Sequence, residues 1–174
     1  MKEEINSILL QVINFELDHY LSRCRKIFIK SLYISRVFDL LHLGHVKFWQ
    51  EAKKAGGKKA KLFVIVAKDR TVEKIKGRKP IIPENQRCTL INSLKVVDKA
   101  ILGFEKLDIA EVINKIKPDL IVLGHDQVDM EKTVKEYCLN NATNIDIIKI
   151  GKFGEDSLDS SSKILQKIIE NFSR

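Results

Sequence analysis

The 174-residue chain reads as an α/β protein built on a doubly wound parallel sheet, with one extra helix at its N-terminus. Three observations predict this. Apolar runs such as Leu62-Phe63-Val64-Ile65-Val66 and Leu120-Ile121-Val122-Leu123 lack polar alternation, the pattern of parallel strands buried on both faces. These runs alternate with stretches of helical periodicity along most of the chain. An earlier β-branched, apolar segment, 27–37, also passes through a short turn directly into a helix that opens with two histidines.

Residues 1–26 stand outside the alternation. Ile5, Ile8, Leu9, Val12, Phe15 and Leu17 form a rough helical stripe followed by the basic Arg23-Cys24-Arg25-Lys26, so an added helix is expected ahead of a domain spanning residues 27–174. It would pack on that domain or on a second subunit. The first strand, 27–37, is rich in β-branched and apolar residues, and the following helix, 43–55, stops at Gly56-Gly57. Further strands are expected at 61–67, 99–102, 120–123 and 145–150, with helices at 85–96, 109–116, 130–140 and 161–172. Between the second strand and the 85–96 helix lies a basic, glycine- and proline-containing loop. In such sheets a ligand lies outside the carboxyl ends of the strands at the switch point, where the His42 turn would sit if the first strand is central.

With 44% hydrophobic residues, 174 residues suffice to bury the core of one compact enzyme domain. The net charge of +8 suggests anionic partners. The cations are scattered over helices and loops without a nucleic-acid-binding signature, so small phosphorylated substrates fit better than nucleic acid. Cys24, Cys88 and Cys138 are widely spaced and odd in number, which argues for reduced thiols in a cytoplasm and against a disulfide framework. There is no bilayer-spanning apolar run and no signal-peptide pattern, so no membrane is expected.

Val37-Phe38-Asp39-Leu40-Leu41-His42-Leu43-Gly44-His45 admits three readings. The histidines could simply cap and pack a helix start. Asp39, His42 and His45 recur at intervals of three and could surround a metal ion, although no His-Glu-x-x-His helix is present. Or the turn could be a phosphate site: unpaired N–H groups and the positive dipole end of the helix favour an anion, with His42 and His45 on one face and Gly44 allowing close approach.

Three later motifs add to the last reading. In Lys74-Ile75-Lys76-Gly77-Arg78-Lys79-Pro80-Ile81-Ile82-Pro83-Glu84-Asn85-Gln86-Arg87, cations could converge on the strand ends, with Arg87 and Lys79 the preferred members. Leu123-Gly124-His125-Asp126-Gln127 follows a buried strand and offers Asp126 to a ribose or base. Ser160-Ser161-Ser162-Lys163 opens the last helix, where serines most often cap but can also grip a triphosphate. Phe153 and Tyr137 could stack on a ring, though each is more often ordinary packing.

From about Tyr33 to the last helix, the chain resembles the cytidylyltransferase-like superfamily and, within it, the archaeal FAD synthases. The resemblance is carried by Phe38-Asp39-Leu40-Leu41-His42-Leu43-Gly44-His45, by Val66-Ala67-Lys68-Asp69-Arg70-Thr71-Val72, by the Lys76–Arg87 run, by Val97–Gly103 and by Lys117–Gln127. The His-x-Gly-His motif is specific only to the superfamily, whereas the Lys-Gly-Arg-Lys-Pro-Ile-Ile-Pro run and the Gly-x-Asp-Gln turn point to the FAD synthase branch. Two positions depart from the family pattern: Arg36 stands where glycine is usual, and Asp159-Ser160-Ser161-Ser162-Lys163 replaces an Ile-Ser-Ser-Thr motif.

The resemblance implies a Rossmann-like nucleotidyltransferase fold and transfer of AMP from ATP to FMN, giving FAD and pyrophosphate. His42 and His45 would hold phosphate oxygens, and Lys47, Arg87 and Lys163 would contact phosphate or pyrophosphate. Backbone around Val37, Phe38, Leu43 and Gly44 would cradle the nucleotide with Ser161 and Ser162, and Asp126 would meet the nucleoside. A divalent ion, Mg²⁺, would be carried by the triphosphate without dedicated metal-ligating residues. A homodimer is common in the superfamily. The alternatives are a cytidylyltransferase using CTP and glycerol phosphate or another phosphorylated alcohol, and an inactive nucleotide-binding regulator.

Overall fold

The computed structural model describes residues 31–104, 109–151, 158 and 160–173. The helix expected within residues 1–26, the domain boundary after it, Cys24 and Phe153 lie outside the described residues. The described strands are β1 (Ser31–Arg36), β2 (Lys61–Val66), β3 (Lys99–Leu102), β4 (Leu120–Gly124) and β5 (Asp146–Ile150). The helices are α1 (Leu43–Gly56), α2 (Asp69–Lys76), α3 (Glu84–Asn92), α4 (Ile109–Ile116), α5 (Val128–Asn140) and α6 (Ser161–Phe172).

The strands form one sheet in the order β3-β2-β1-β4-β5, and every neighbouring pair is parallel. The chain winds outward from β1 through β2 to β3, then returns to the other side of β1 for β4 and β5. β1 is therefore central, and the switch point falls between β1 and β4.

Burial on both faces explains the unbroken apolar strands. Leu62, Val64 and Val66 of β2 face one core with Phe48, Trp49 and Ala52 of α1 and Ile91 of α3. Phe63 and Ile65 of the same strand face the other core with Ile109, Val112, Ile113 and Ile116 of α4 and Val134 of α5. The buried residues of α1 are His45, Phe48, Trp49 and Ala52, spaced i, i+3, i+4, i+7, so the helix presents one stripe to the sheet. That stripe fixes the direction of His45. Leu62 and Phe63 are fully buried, each worth roughly 1.5–3 kcal/mol, and Phe63→Ala would cost about 3–5 kcal/mol.

The sequence reading missed α2, treating Lys74 to Lys76 as the start of a loop. They are instead the last turn of a helix that ends at Gly77, whose φ of 68° is left-handed and whose N–H donates to Glu73 O at 2.9 Å. Only Thr71 and Val72 of α2 are buried, so its sequence carries no apolar stripe to betray it.

Candidate active site

The turn after β1 is held in an unusual conformation. Phe38 adopts φ 52°, a left-handed backbone costly for a bulky residue, at roughly 1–2 kcal/mol. Its buried ring explains how that cost is offset: it packs edge-on against His45 and tilted against Trp49, both at 5.2 Å between centroids. The next residue, Asp39, is only 4% exposed and points away from the histidines. Its Oδ1 accepts from the N–H groups of Ile81 (2.7 Å) and Ile82 (3.2 Å), and Arg78 lies 3.4 Å from its Oδ2. Asp39 thus pins the proline-containing loop to the histidine turn, which leaves the Asp39-His42-His45 metal reading without its carboxylate.

His42 is the N-cap of α1, and its C=O accepts from His45 N at 3.0 Å. The two imidazoles stack, with centroids 3.7 Å apart and planes 25° from parallel. His45 Nδ1 is buried with no hydrogen-bond partner among the described residues. Burial, with His42 and then Arg36 nearby, lowers the His45 pKa to about 3, so the ring is neutral at physiological pH.

The pair opens into a cleft of about 260 Å³ at the carboxyl ends of β1, β4 and β5. Its lining includes Arg36, His42, Gly44, His45, Phe48, Gly124, His125, Asp126, Ile150, Gly151 and Ser160. Two helix N-termini border it. One is α1, and the other is α6, whose N-cap Ser160 accepts from Lys163 N at 3.3 Å. Ser161 Oγ donates to Leu40 O at 3.2 Å, which ties the start of α6 to the histidine turn. Two positive dipole ends, two imidazoles and the Arg36 guanidinium around one volume make a site for a polyanion.

Not every expected residue faces this cleft. His42, Gly44, His45 and Asp126 line it. Arg87 does not: it is fully buried, donating through Nε to Ile82 O (2.8 Å), through Nη1 to Val37 O, and through Nη2 to Ala67 O (2.8 Å) and Asp69 Oδ1 (2.5 Å). Asp69 in turn exchanges hydrogen bonds with Glu84: Glu84 Oε2 accepts from Asp69 N at 2.6 Å and Asp69 Oδ2 from Glu84 N at 3.2 Å. Arg87 therefore clamps the ends of β1 and β2 to the loop before α3. Val37 contributes its carbonyl to that clamp, and Leu43 is exposed. Lys47 is half-buried outside the cleft lining, while Ser162 and Lys163 are exposed on the first turn of α6.

These features meet known proteins at one point. The cytidylyltransferase-like family profile matches residues 37–167, which span the histidine turn, the switch point and the start of α6. The chain belongs to the cytidylyltransferase-like family. It is 41% identical over 145 residues to the FAD synthase of Methanopyrus kandleri, covering 83% of this chain and 95% of that protein. It is 40% identical over 152 residues to the FAD synthase of Methanohalobium evestigatum, covering 87% and 97% respectively. A crystal structure of the lipopolysaccharide core biosynthesis protein from Thermoplasma volcanium matches with a TM-score of 0.65 and 39% identity, over 72% of this chain and 99% of that one. The pantoate-beta-alanine ligase of Francisella tularensis, at 15% identity and a TM-score of 0.58, shares the fold alone.

The sequence raises Arg36 as a possible added phosphate cation because it stands where glycine is usual, but it does not single out Phe48, Gly124, His125, Ile150, Gly151 or Ser160, which also line the cleft. Arg36, Gly124 and Ile150 are the final residues of β1, β4 and β5. Strand order is the signal that finds them, because only adjacent strand ends border the crevice.

Proposed function

We propose that this member of the cytidylyltransferase-like family is an FAD synthase, transferring AMP from ATP to FMN with release of pyrophosphate. The observation that carries the reading is the stacked His42–His45 pair at the N-terminus of α1, opening on the β1/β4 switch point in a chain about 40% identical to proteins named FAD synthase.

The chemistry follows from the cleft. An oxygen of the FMN phosphate attacks the α-phosphorus of ATP in line, the bond to the α–β bridging oxygen breaks, and pyrophosphate departs. No covalent enzyme intermediate is required, so catalysis consists of positioning and of stabilising charge on the leaving oxygen. His42 and His45 would hold the α- and β-phosphate oxygens, and neutral His45 would present an N–H without the cost of burying a cation. Lys47 and Lys163 would meet the outer phosphates, together with the N–H groups of Leu43, Gly44, Ser161 and Ser162. Backbone at Val37 and Phe38 would lie against the nucleotide, and Asp126 would accept from the nucleoside. Arg87 would act as a positioning residue by holding Val37 in place. Mg²⁺ would enter as part of the ATP complex, carried by the triphosphate. Among the described residues no helix is long and apolar enough to cross a membrane. The enzyme would act on small phosphorylated substrates in a cytoplasm, where its widely spaced cysteines would stay reduced.

The test is pyrophosphate release with ATP or CTP and a panel of acceptors. FMN-dependent release with ATP is the expected result. CTP-dependent release with glycerol phosphate or another phosphorylated alcohol would overturn the donor and acceptor together. Nucleotide binding without release would make the chain a regulator.

A further inference from the structure

The cleft contains an ion pair of which the proposed reaction uses only the carboxylate. Arg36, the last residue of β1, pairs through Nη2 with Asp126 Oδ1 across the switch point. The guanidinium is 25% exposed and the carboxylate 57% exposed, so the pair sits at the mouth of the cleft. Two neighbours shape its seat. The Phe48 ring centroid lies 5.9 Å from Arg36 Cζ. Gly124, the last residue of β4, leaves the space the guanidinium occupies: a Cβ there would come within 2.8 Å of Arg36 Nη2, 3.1 Å of Cζ and 2.9 Å of Asp126 Oδ1. The cation is therefore built into the same wall as His42 and His45.

A guanidinium carries five N–H donors in a planar fork suited to phosphate, and a carboxylate with 57% exposure holds it only modestly. A triphosphate brings several negative charges to the same fork. We propose that Arg36 is a phosphate-binding residue of the nucleotide site, held by Asp126 when the cleft is empty and transferred to the triphosphate when it fills. The exchange frees Asp126 to accept hydrogen bonds from the nucleoside, so one contact is spent and two are gained. This rests on the reading of the cleft as a triphosphate site, and not on which acceptor is used.

Inorganic tripolyphosphate tests it, because this probe has no nucleoside and cannot report the contact proposed for Asp126. Calorimetric titrations would compare the 174-residue chain with Arg36→Gln, Asp126→Asn and the double variant, each first checked for an unchanged thermal melt. Arg36→Gln is expected to weaken binding about tenfold, the scale of one charge-assisted hydrogen bond, with the loss shrinking at high salt. Asp126→Asn is expected to tighten binding several-fold in the wild-type background and much less once Arg36 is gone. Gly124→Ala, which crowds the guanidinium in its seat, provides a second probe and should also reduce the Arg36-dependent part of binding. Equal affinity of wild type and Arg36→Gln would overturn the proposal, as would an Asp126→Asn gain of the same size in both backgrounds, or wild type that binds no tripolyphosphate. A chain that binds tripolyphosphate through Arg36 yet transfers nothing to FMN would fail the acceptor assignment alone.

Discussion

Two arginines, one at the carboxyl end of β1 and one in the first turn of α3, show how differently this protein uses the same side chain. Arg87 is fully buried under the histidine turn and reaches three backbone carbonyls and the Asp69 carboxylate. Arg36 lies on the cleft wall, half-buried, with Asp126 as its ion-pair partner. Burying a guanidinium is tolerable only when its donors are satisfied, and Arg87 meets that condition with fixed acceptors. Such an arrangement commits four of the five N–H donors to protein acceptors in a fully buried position, and it works as scaffold. Arg36 has an exposed partner that a ligand can replace. The comparison teaches that a motif cation belongs to the chemistry or to the frame according to what already satisfies it.

The largest effect should come from the frame. Arg87→Ala would leave three carbonyls and the Asp69 carboxylate without their donor, and is expected to cost about 3–5 kcal/mol of stability in urea unfolding. Arg36→Ala should cost less than about 1 kcal/mol, since it removes a partly exposed pair. Similar losses for the two would break the distinction.

The next effect separates the two regions by pH. His45 titrates near 6.5 when unfolded and near 3 when folded, so below pH 6.5 the unfolded chain binds the extra proton. The contribution of His45 to stability should therefore fall as pH drops from about 6.5 towards about 3, by roughly 1.4 kcal/mol per pH unit. Urea midpoints for wild type and His45→Gln between pH 7 and pH 5 measure it. The variant should show the shallower decline, and parallel curves would mean that His45 does not differ between the two states.

A smaller effect belongs to the second helix start. Ser160→Ala removes the side-chain cap of α6 and should cost about 1 kcal/mol, with a weaker hold on triphosphate because the first turn frays. No change in either thermal melt or tripolyphosphate titration would detach α6 from the site.

Much of this arrangement was legible in the chain. The strands announced themselves because both faces of the sheet are covered, and the sequence puts His42 and His45 on one face at the start of α1, while the inward direction of His45 is seen only in the structure. The role of Arg87 was not legible, because a cation at the start of a helix looks the same whether it meets phosphate or carbonyls, and its acceptors at Val37 and Ala67 are 50 and 20 residues away. Three consecutive serines do not reveal which one is the N-cap, so the sequence does not separate Ser160 from Ser161 and Ser162. Helix α2 was hidden by its charge, with two buried residues in a segment of lysines, glutamate and arginine.

The claim that the stacked histidines perform the transfer, while the arginine clamp only holds them, is tested most directly by FAD formation from ATP and FMN. Initial rates at saturating substrates would be compared for wild type, His42→Asn and His45→Asn, at a temperature where all three remain folded. Each histidine variant is expected to lose at least about 100-fold in turnover, the scale of removing one hydrogen-bond donor from a preorganised charge-stabilising site. Turnover near wild type in either folded variant would contradict the account.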